Sequence, residues 1–135
     1  MPVFLDTNIL VRHFTRDNAE RSPRATNFLR RIEGGEIRAR LADTVVFETV
    51  FLLERRYGRS RLEISDAVLG ILALPAMELP DKQRIARAFE LYGSTKLSFA
   101  DAFHVAITKQ LGIEEIASFD KDFDRVPGIR RVEPS

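Results

Sequence analysis

The side chains of this chain that could do chemistry are acids at four widely separated places. Val3-Phe4-Leu5 runs straight into Asp6-Thr7-Asn8, and Glu48 lies inside the apolar run Val45 to Leu53. Asp101 ends Ser98-Phe99-Ala100-Asp101, and Asp120-Lys121-Asp122-Phe123-Asp124 follows Ile116-Ala117-Ser118. A carboxylate can act as a general acid or base, or offer oxygen to a hard cation. Each acid also has a structural reading. Asp6 can cap the helix after it, Asp101 can complete a capping box begun at Ser98, and Asp120 can belong to a solvated turn. Glu48 is harder to place. A helix apolar almost all the way round leaves it little solvent face, and an isolated buried carboxylate is costly unless paired or metal-bound. Snorkelling to water or pairing with an arginine is its structural alternative.

The elements that must position these acids follow from the pattern. A short apolar run stopped by a polar cluster reads as a buried strand, which puts Asp6 at the carboxyl end of Val3 to Leu5. Ile9 to Phe14 reads as a short helix capped by Thr7 or Asn8, and Ser22-Pro23 as the cap and first-turn proline of the next. Ala25, Phe28, Leu29 and Ile32 keep helical spacing as far as Gly34-Gly35. A weakly alternating strand follows over Glu36 to Ala42. Asp43-Thr44 then caps a helix to Tyr57, and Ser60-Arg61-Leu62-Glu63 is a capping box opening another to about Ala73. Pro75 to Leu79 reads as a strand and Asp81 to Tyr92 as a helix stopped by Gly93. The last long helix starts at Ser98 and carries Gly112 at its C-cap, and Ile129 to Val132 is a final edge strand after the Pro127-Gly128 turn.

Strands alternating with helices imply an α/β domain with a parallel sheet. In such a fold the acids after strands, and in the first turns of the following helices, lie along the carboxyl edge of the sheet, where ligands bind. Four carboxylates gathered there would repel by roughly 4 kcal/mol per pair at 4 Å and an effective dielectric near 20. Total stability is only about 5–15 kcal/mol, so a divalent cation is the expected remedy. Oxygen ligands without cysteine or histidine select Mg²⁺ or Mn²⁺.

Bulk composition narrows the class further. At 135 residues, 44% apolar and 30% charged, the chain reads as one soluble domain spanning residues 1–135. Cysteine is absent, which removes disulfides, thiolate metal sites and thiol nucleophiles, and fits a reducing cytosol. The longest uncharged apolar run, Ala67 to Met77, is too short for a bilayer, and the N-terminus lacks the features of a secretory signal. A net charge of +1 decides nothing about a polyanionic partner. Arginine outnumbers lysine 17 to 4, which suits phosphate recognition but also follows from codon bias.

Taken in series, Leu5-Asp6-Thr7-Asn8, Val46-Phe47-Glu48-Thr49, Ser98-Phe99-Ala100-Asp101-Ala102 and Ala117-Ser118-Phe119-Asp120-Lys121-Asp122-Phe123 resemble a PIN domain, and within that family the VapC toxins of bacterial type II toxin–antitoxin systems. The resemblance runs from Val3 to about Arg131. It implies a three-layer α/β/α sandwich around a central parallel sheet, and a metal-dependent endoribonuclease of the cytoplasm. Asp6, Glu48, Asp101 and Asp120 match the family's acidic quartet. Asp6, Asp101, Asp120 and a further acid, Asp122, are then the expected ligands of Mg²⁺ or Mn²⁺, with Asp124 a weaker match. Thr7, Asn8 and Ser118 match the polar residues that orient the acids. The implied partners are RNA, a VapB-like antitoxin and a second copy of the chain, with no membrane.

Arg12, Arg16, Arg55 and Arg56, with Arg59 and Arg61, are candidates for phosphate contacts, against a reading as solvated helix ends. His13 and His104 read as half-exposed packing residues, and Phe47, Phe51, Phe99 and Phe103, at helical spacing, as core. A phosphatase of the Asp-x-Asp type is disfavoured by Asp6-Thr7-Asn8. The alternative to catalysis is a degenerate PIN-fold module that binds RNA or protein, which the intact quartet opposes.

Overall fold

Each strand of this chain is short, and its pairing is what places the acids. The computed structural model describes residues 1–135 as two units, Met1–Lys82 and Gln83–Ser135. The first unit holds β1 (Val3–Phe4), α1 (Thr7–Thr15), α2 (Arg21–Glu33), β2 (Ala39–Arg40), α3 (Asp43–Arg55), α4 (Arg61–Leu72) and β3 (Met77–Glu78). Its strands pair in parallel in the order β1-β2-β3. Val3, Ala39 and Met77 share one rung, and Phe4, Arg40 and Glu78 share the next. The amides of Leu5 and Leu41 carry the ladder one residue further, donating to the carbonyls of Arg40 and Glu78. That brings Leu5, Leu41 and Leu79 into a buried row. Asp6 comes next, where the ladder stops.

Leu10, Ile32, Val46, Leu53, Ile64 and Met77 are almost wholly buried and form the apolar centre of this unit. Ser60 accepts from the Glu63 amide and Glu63 reaches back to the Ser60 amide, so the capping box read at the start of α4 is formed. The start of α2 differs from the expected Ser22-Pro23 cap. The helix begins at Arg21, Ser22 is buried within its first turn, and the Asn18 carboxamide oxygen accepts from the amides of Glu20 and Arg21. A carboxamide two residues upstream reaches the same orphan donors that a serine cap would satisfy.

Two burial expectations fail. Val3 and Phe4 are 47% and 60% exposed, because β1 is the edge of its sheet and pairs only with β2. Helix α3 is not apolar all round either. Val45, Val46, Thr49, Val50 and Leu53 are buried, while Thr44, Glu48, Phe51 and Arg55 form an exposed stripe at steps of three and four. Phe51 is 58% exposed with the Arg55 guanidinium 5.8 Å from its ring centre, and Phe47 is half-buried, so neither is the core residue expected. Phe99 and Phe103 are buried as expected.

The second unit contains α5 (Lys82–Ser94, its first residue at the boundary), α6 (Phe99–Leu111), β4 (Glu115–Ala117), a 3-10 turn over Lys121–Arg125, and β5 (Arg130–Val132). Its two strands are also parallel. Helix α5 runs through Gly93 rather than stopping there; one glycine costs a helix only about 1 kcal/mol, and buried Phe89 and Tyr92 hold its last turns. The rings of Phe89, Tyr92 and Phe99 meet at 4.5 to 6.3 Å, tilted or edge-on. Gly112 closes α6 at φ 71, where a side chain would be strained. Parallel strands in both units, linked through α-helices in the first and a 3-10 turn in the second, give the α/β class read from the sequence.

Candidate active site

Asp6 ends β1 and begins α1. Its Oδ1 accepts the Thr7 amide at 2.8 Å, so Asp6 itself, not Thr7 or Asn8, is the cap. That bond engages one oxygen and leaves Oδ2 open. Thr7 is buried beneath it, and Asn8 is exposed beside it. Glu48 enters from α3, the helix that follows β2, and α3 packs against α1. Asp6, Thr7, Asn8, Arg12, Glu48, Arg56 and Tyr57 line one cleft of about 270 Å³, with Val11 and Leu52 as its apolar wall. Glu48 is thus an exposed acid in a cleft, and the burial argument made for it from the sequence does not hold.

Two arginines and a tyrosine face the two acids, and one residue that sequence reasoning missed fixes Arg12 and Tyr57. Asp17, just past α1, accepts from Arg12 Nη1 on both oxygens at 3.0 Å, from the Tyr57 hydroxyl at 2.6 Å and from Thr15 Oγ1 at 2.9 Å. The Tyr57 hydroxyl, then Thr15 and Arg12, hold the Asp17 carboxyl down from 3.8 to about 2. Asp17 in return raises the Arg12 guanidinium. Because folded Asp17 holds its proton less tightly than the unfolded chain does, its stabilisation is complete above pH about 4 and is lost as pH falls through about 2. Urea midpoints of the wild-type chain and Asp17→Asn should therefore differ at pH 5 and converge toward pH 2. A difference constant over that range would contradict the network.

In the second unit, Ser98 Oγ accepts the Asp101 amide at 3.1 Å. Only that half of the expected box forms. The Asp101 carboxylate lies 3.9 Å from His104 Nδ1 instead. Asp120 follows β4, takes its orientation from Ser118 Oγ, which accepts the Asp120 amide at 3.0 Å, and caps the 3-10 turn by accepting the Asp122 amide at 2.9 Å. Asp122 is exposed and borders a cleft with Lys96 and Arg125. Asp124 is occupied differently: Arg131 Nε and Nη2 grip it at 2.9 and 3.3 Å, which ties the turn to β5. His13 shares a 2.8 Å hydrogen bond with Thr26, and its burial, with Arg16 and Arg30 nearby, pushes the imidazole below its ordinary value.

Residues 3–129 fit the profile of the PIN domain. The chain belongs to the PIN domain family. The three-layer α/β/α class with parallel strands is the fold of that family. A VapC ribonuclease of Aquifex aeolicus is 27% identical over 130 residues, 96% of this chain and 95% of the relative. Ribonuclease VapC13 of Mycobacterium tuberculosis is 36% identical over 69 residues, half of each chain. The crystal structure of Mycobacterium tuberculosis VapC20, a Sarcin-Ricin loop cleaving toxin, covers 90% of this chain and 92% of its own at 24% identity and a TM-score of 0.41. As a PIN domain, the chain sets Asp6 and Glu48 in one cleft of its first unit and carries Asp101, Asp120 and Asp122 in its second. Among the expected phosphate contacts, Arg12 and Arg56 line that cleft; Arg55 instead sits over Phe51, and Arg16 is the exposed C-cap of α1.

No three histidine, aspartate or glutamate side chains are gathered so as to chelate an ion by themselves. Mg²⁺ does not require that, since it keeps most of its waters and is held by one or two carboxylates together with substrate phosphate. Two carboxylates with a carboxamide oxygen in an open cleft are a donor set of that kind.

Proposed function

We propose that this PIN domain is a metal-dependent endoribonuclease that hydrolyses RNA phosphodiester bonds, and that it is the toxin of a VapBC-type pair. The observation that carries the reading is the Asp6–Glu48 cleft, edged by Arg12 and Arg56, in a chain that its VapC-named relative matches from end to end. Asp6, Glu48, Asp101 and Asp120 serve the reaction as its acids, and the two units work as one domain of residues 1–135. Asp6, Asp101, Asp120 and Asp122 would hold Mg²⁺ or Mn²⁺. Such an ion supplies positive charge to the phosphate and makes water a nucleophile near neutral pH.

The chain's own groups do the rest. The Thr7 amide fixes one oxygen of Asp6 and leaves the other open, the Asp122 amide does the equivalent for Asp120, and Ser118 holds the Asp120 backbone. Glu48, exposed and facing the same cleft, is placed to take a proton from attacking water. Arg12 and Arg56 bind the phosphate that an acid cleft would otherwise repel. Cytoplasmic RNA is the substrate, an antitoxin covers the cleft between rounds of activity, and a second copy of the chain completes a homodimer. No helix is long and apolar enough to cross a membrane.

Total RNA incubated with the purified chain tests this. Fragments should form with Mg²⁺ or Mn²⁺, vanish with chelator, and return when excess metal is restored. Intact RNA in both metal arms, or equal cutting in chelator, overturns the reading.

A further inference from the structure

A second cavity adjoins the acid cleft. It is a groove of about 570 Å³ between α1 and α2, and Asn8 and Arg12 line both. Arg21, Arg24 and Arg31 join Arg12 on its walls, Phe28 lies among them, and no carboxylate lines it. On α2 these side chains fall at 21, 24, 28 and 31, the spacing of a single helix face. Four guanidinium groups around one groove repel one another unless an anion sits between them.

The cations are free to serve. Arg21 has no acidic partner. Arg24 and Arg31 pair with Glu20 at 3.7 Å and Glu36 at 3.0 Å, but both pairs are well exposed and of a kind that solvent screens heavily. Arg12 alone is fixed. Asp17 takes only its Nη1, so Nε and Nη2 remain available at the junction of groove and cleft.

We propose that this groove binds the phosphodiester backbone of the single-stranded RNA adjoining the cut bond, with Arg12, held in place by Asp17, as the phosphate contact at the junction. The inference rests on the nuclease reading for its substrate and adds the path the strand takes. Arginine forks match phosphate in two-point geometry, and an aromatic ring among them offers a base a stacking surface. An acidic protein segment would meet the same charge. RNA is favoured because a strand whose phosphate lies in the cleft meets the groove across their shared wall, formed by Asn8 and Arg12.

The test uses a labelled single-stranded oligoribonucleotide in chelator, with anisotropy read across a salt series. The double variant Arg21→Ala/Arg24→Ala should bind at least about tenfold more weakly at low salt. Its slope of log affinity against log salt should fall by roughly 1.4, two contacts at about 0.7 each. Asp17→Asn should raise KM several-fold in the metal-supplied cleavage assay and leave kcat within about twofold. Arg30→Ala removes one such charge from α2 outside the groove and should change neither slope nor affinity.

Equal weakening by Arg30→Ala, or wild-type slope in the double variant, overturns the groove. Retained RNA affinity with lost binding of a poly-glutamate peptide overturns it in favour of an acidic protein partner. Groove-dependent binding by a wild-type chain that cuts nothing would sink the nuclease reading and leave the groove standing. Normal cutting with unaltered binding in the variants does the reverse, and a chain that neither binds nor cuts RNA overturns both.

Discussion

Asp6→Asn abolishes RNA cleavage and leaves the fold intact. The structure separates the two roles of this side chain. As a cap, Asp6 needs only an oxygen to accept the Thr7 amide, and asparagine supplies one. Losing the negative charge at the start of α1 costs about 0.5 kcal/mol of helix-dipole interaction, which relief of repulsion from Glu48 in the same cleft offsets. As a ligand and charge, the carboxylate has no substitute. Loss of about 4 kcal/mol of transition-state stabilisation corresponds to roughly 10³-fold in rate. Initial cleavage rates in Mg²⁺ should therefore fall by about that factor or more, while the melting temperature moves by a few degrees at most. Asp6→Ala, which also removes the cap, should lose about 1 kcal/mol of stability in addition. Wild-type cutting by Asp6→Asn would remove Asp6 from the mechanism.

The second unit should answer the same way. Asp101→Asn is expected to cut RNA about 10³-fold more slowly at unchanged stability, because the cap of α6 is made by Ser98 to the backbone amide of residue 101 and ignores its side chain. The carboxylate's one near neighbour, His104 at 3.9 Å, forms an exposed pair of little energetic consequence. Ser98→Ala makes the opposite change: it removes the cap, costs about 1 kcal/mol, and keeps the acid. Rates and melting temperatures for the two variants should cross over, one inactive and stable, the other active and less stable. If Asp101→Asn cleaves normally, the second unit's acids do not serve the reaction.

Those expectations were accessible from the sequence because the signals behind them are local. Apolar runs ended by Asp6 and by Ser118-Phe119-Asp120 marked the strand ends, and Ser60 with Glu63 marked a capping box that forms as read. Burial was less legible. Glu48 looked enclosed because seven of its eight neighbours in Val45 to Leu53 are apolar. A helix turns 100° per residue, however, and places 44, 48, 51 and 55 on a face that nothing in the sequence says is covered. Val3 and Phe4 misled in the same way, since a strand's edge position depends on which partners it finds.

The order of elements, the parallel α/β class and the acids worth testing can be read along the chain, because all of them depend on periodicity and punctuation within a few residues. The Asp17 network and the arginine groove belong to the tertiary structure alone. Tyr57 reaches Asp17 across 40 positions, and Arg12 meets Asp17 five residues on, a spacing no helix face shares. Packing of α1 against both α2 and α3 is what brings those groups to one wall, and packing is a property of faces in space rather than of neighbours along the chain.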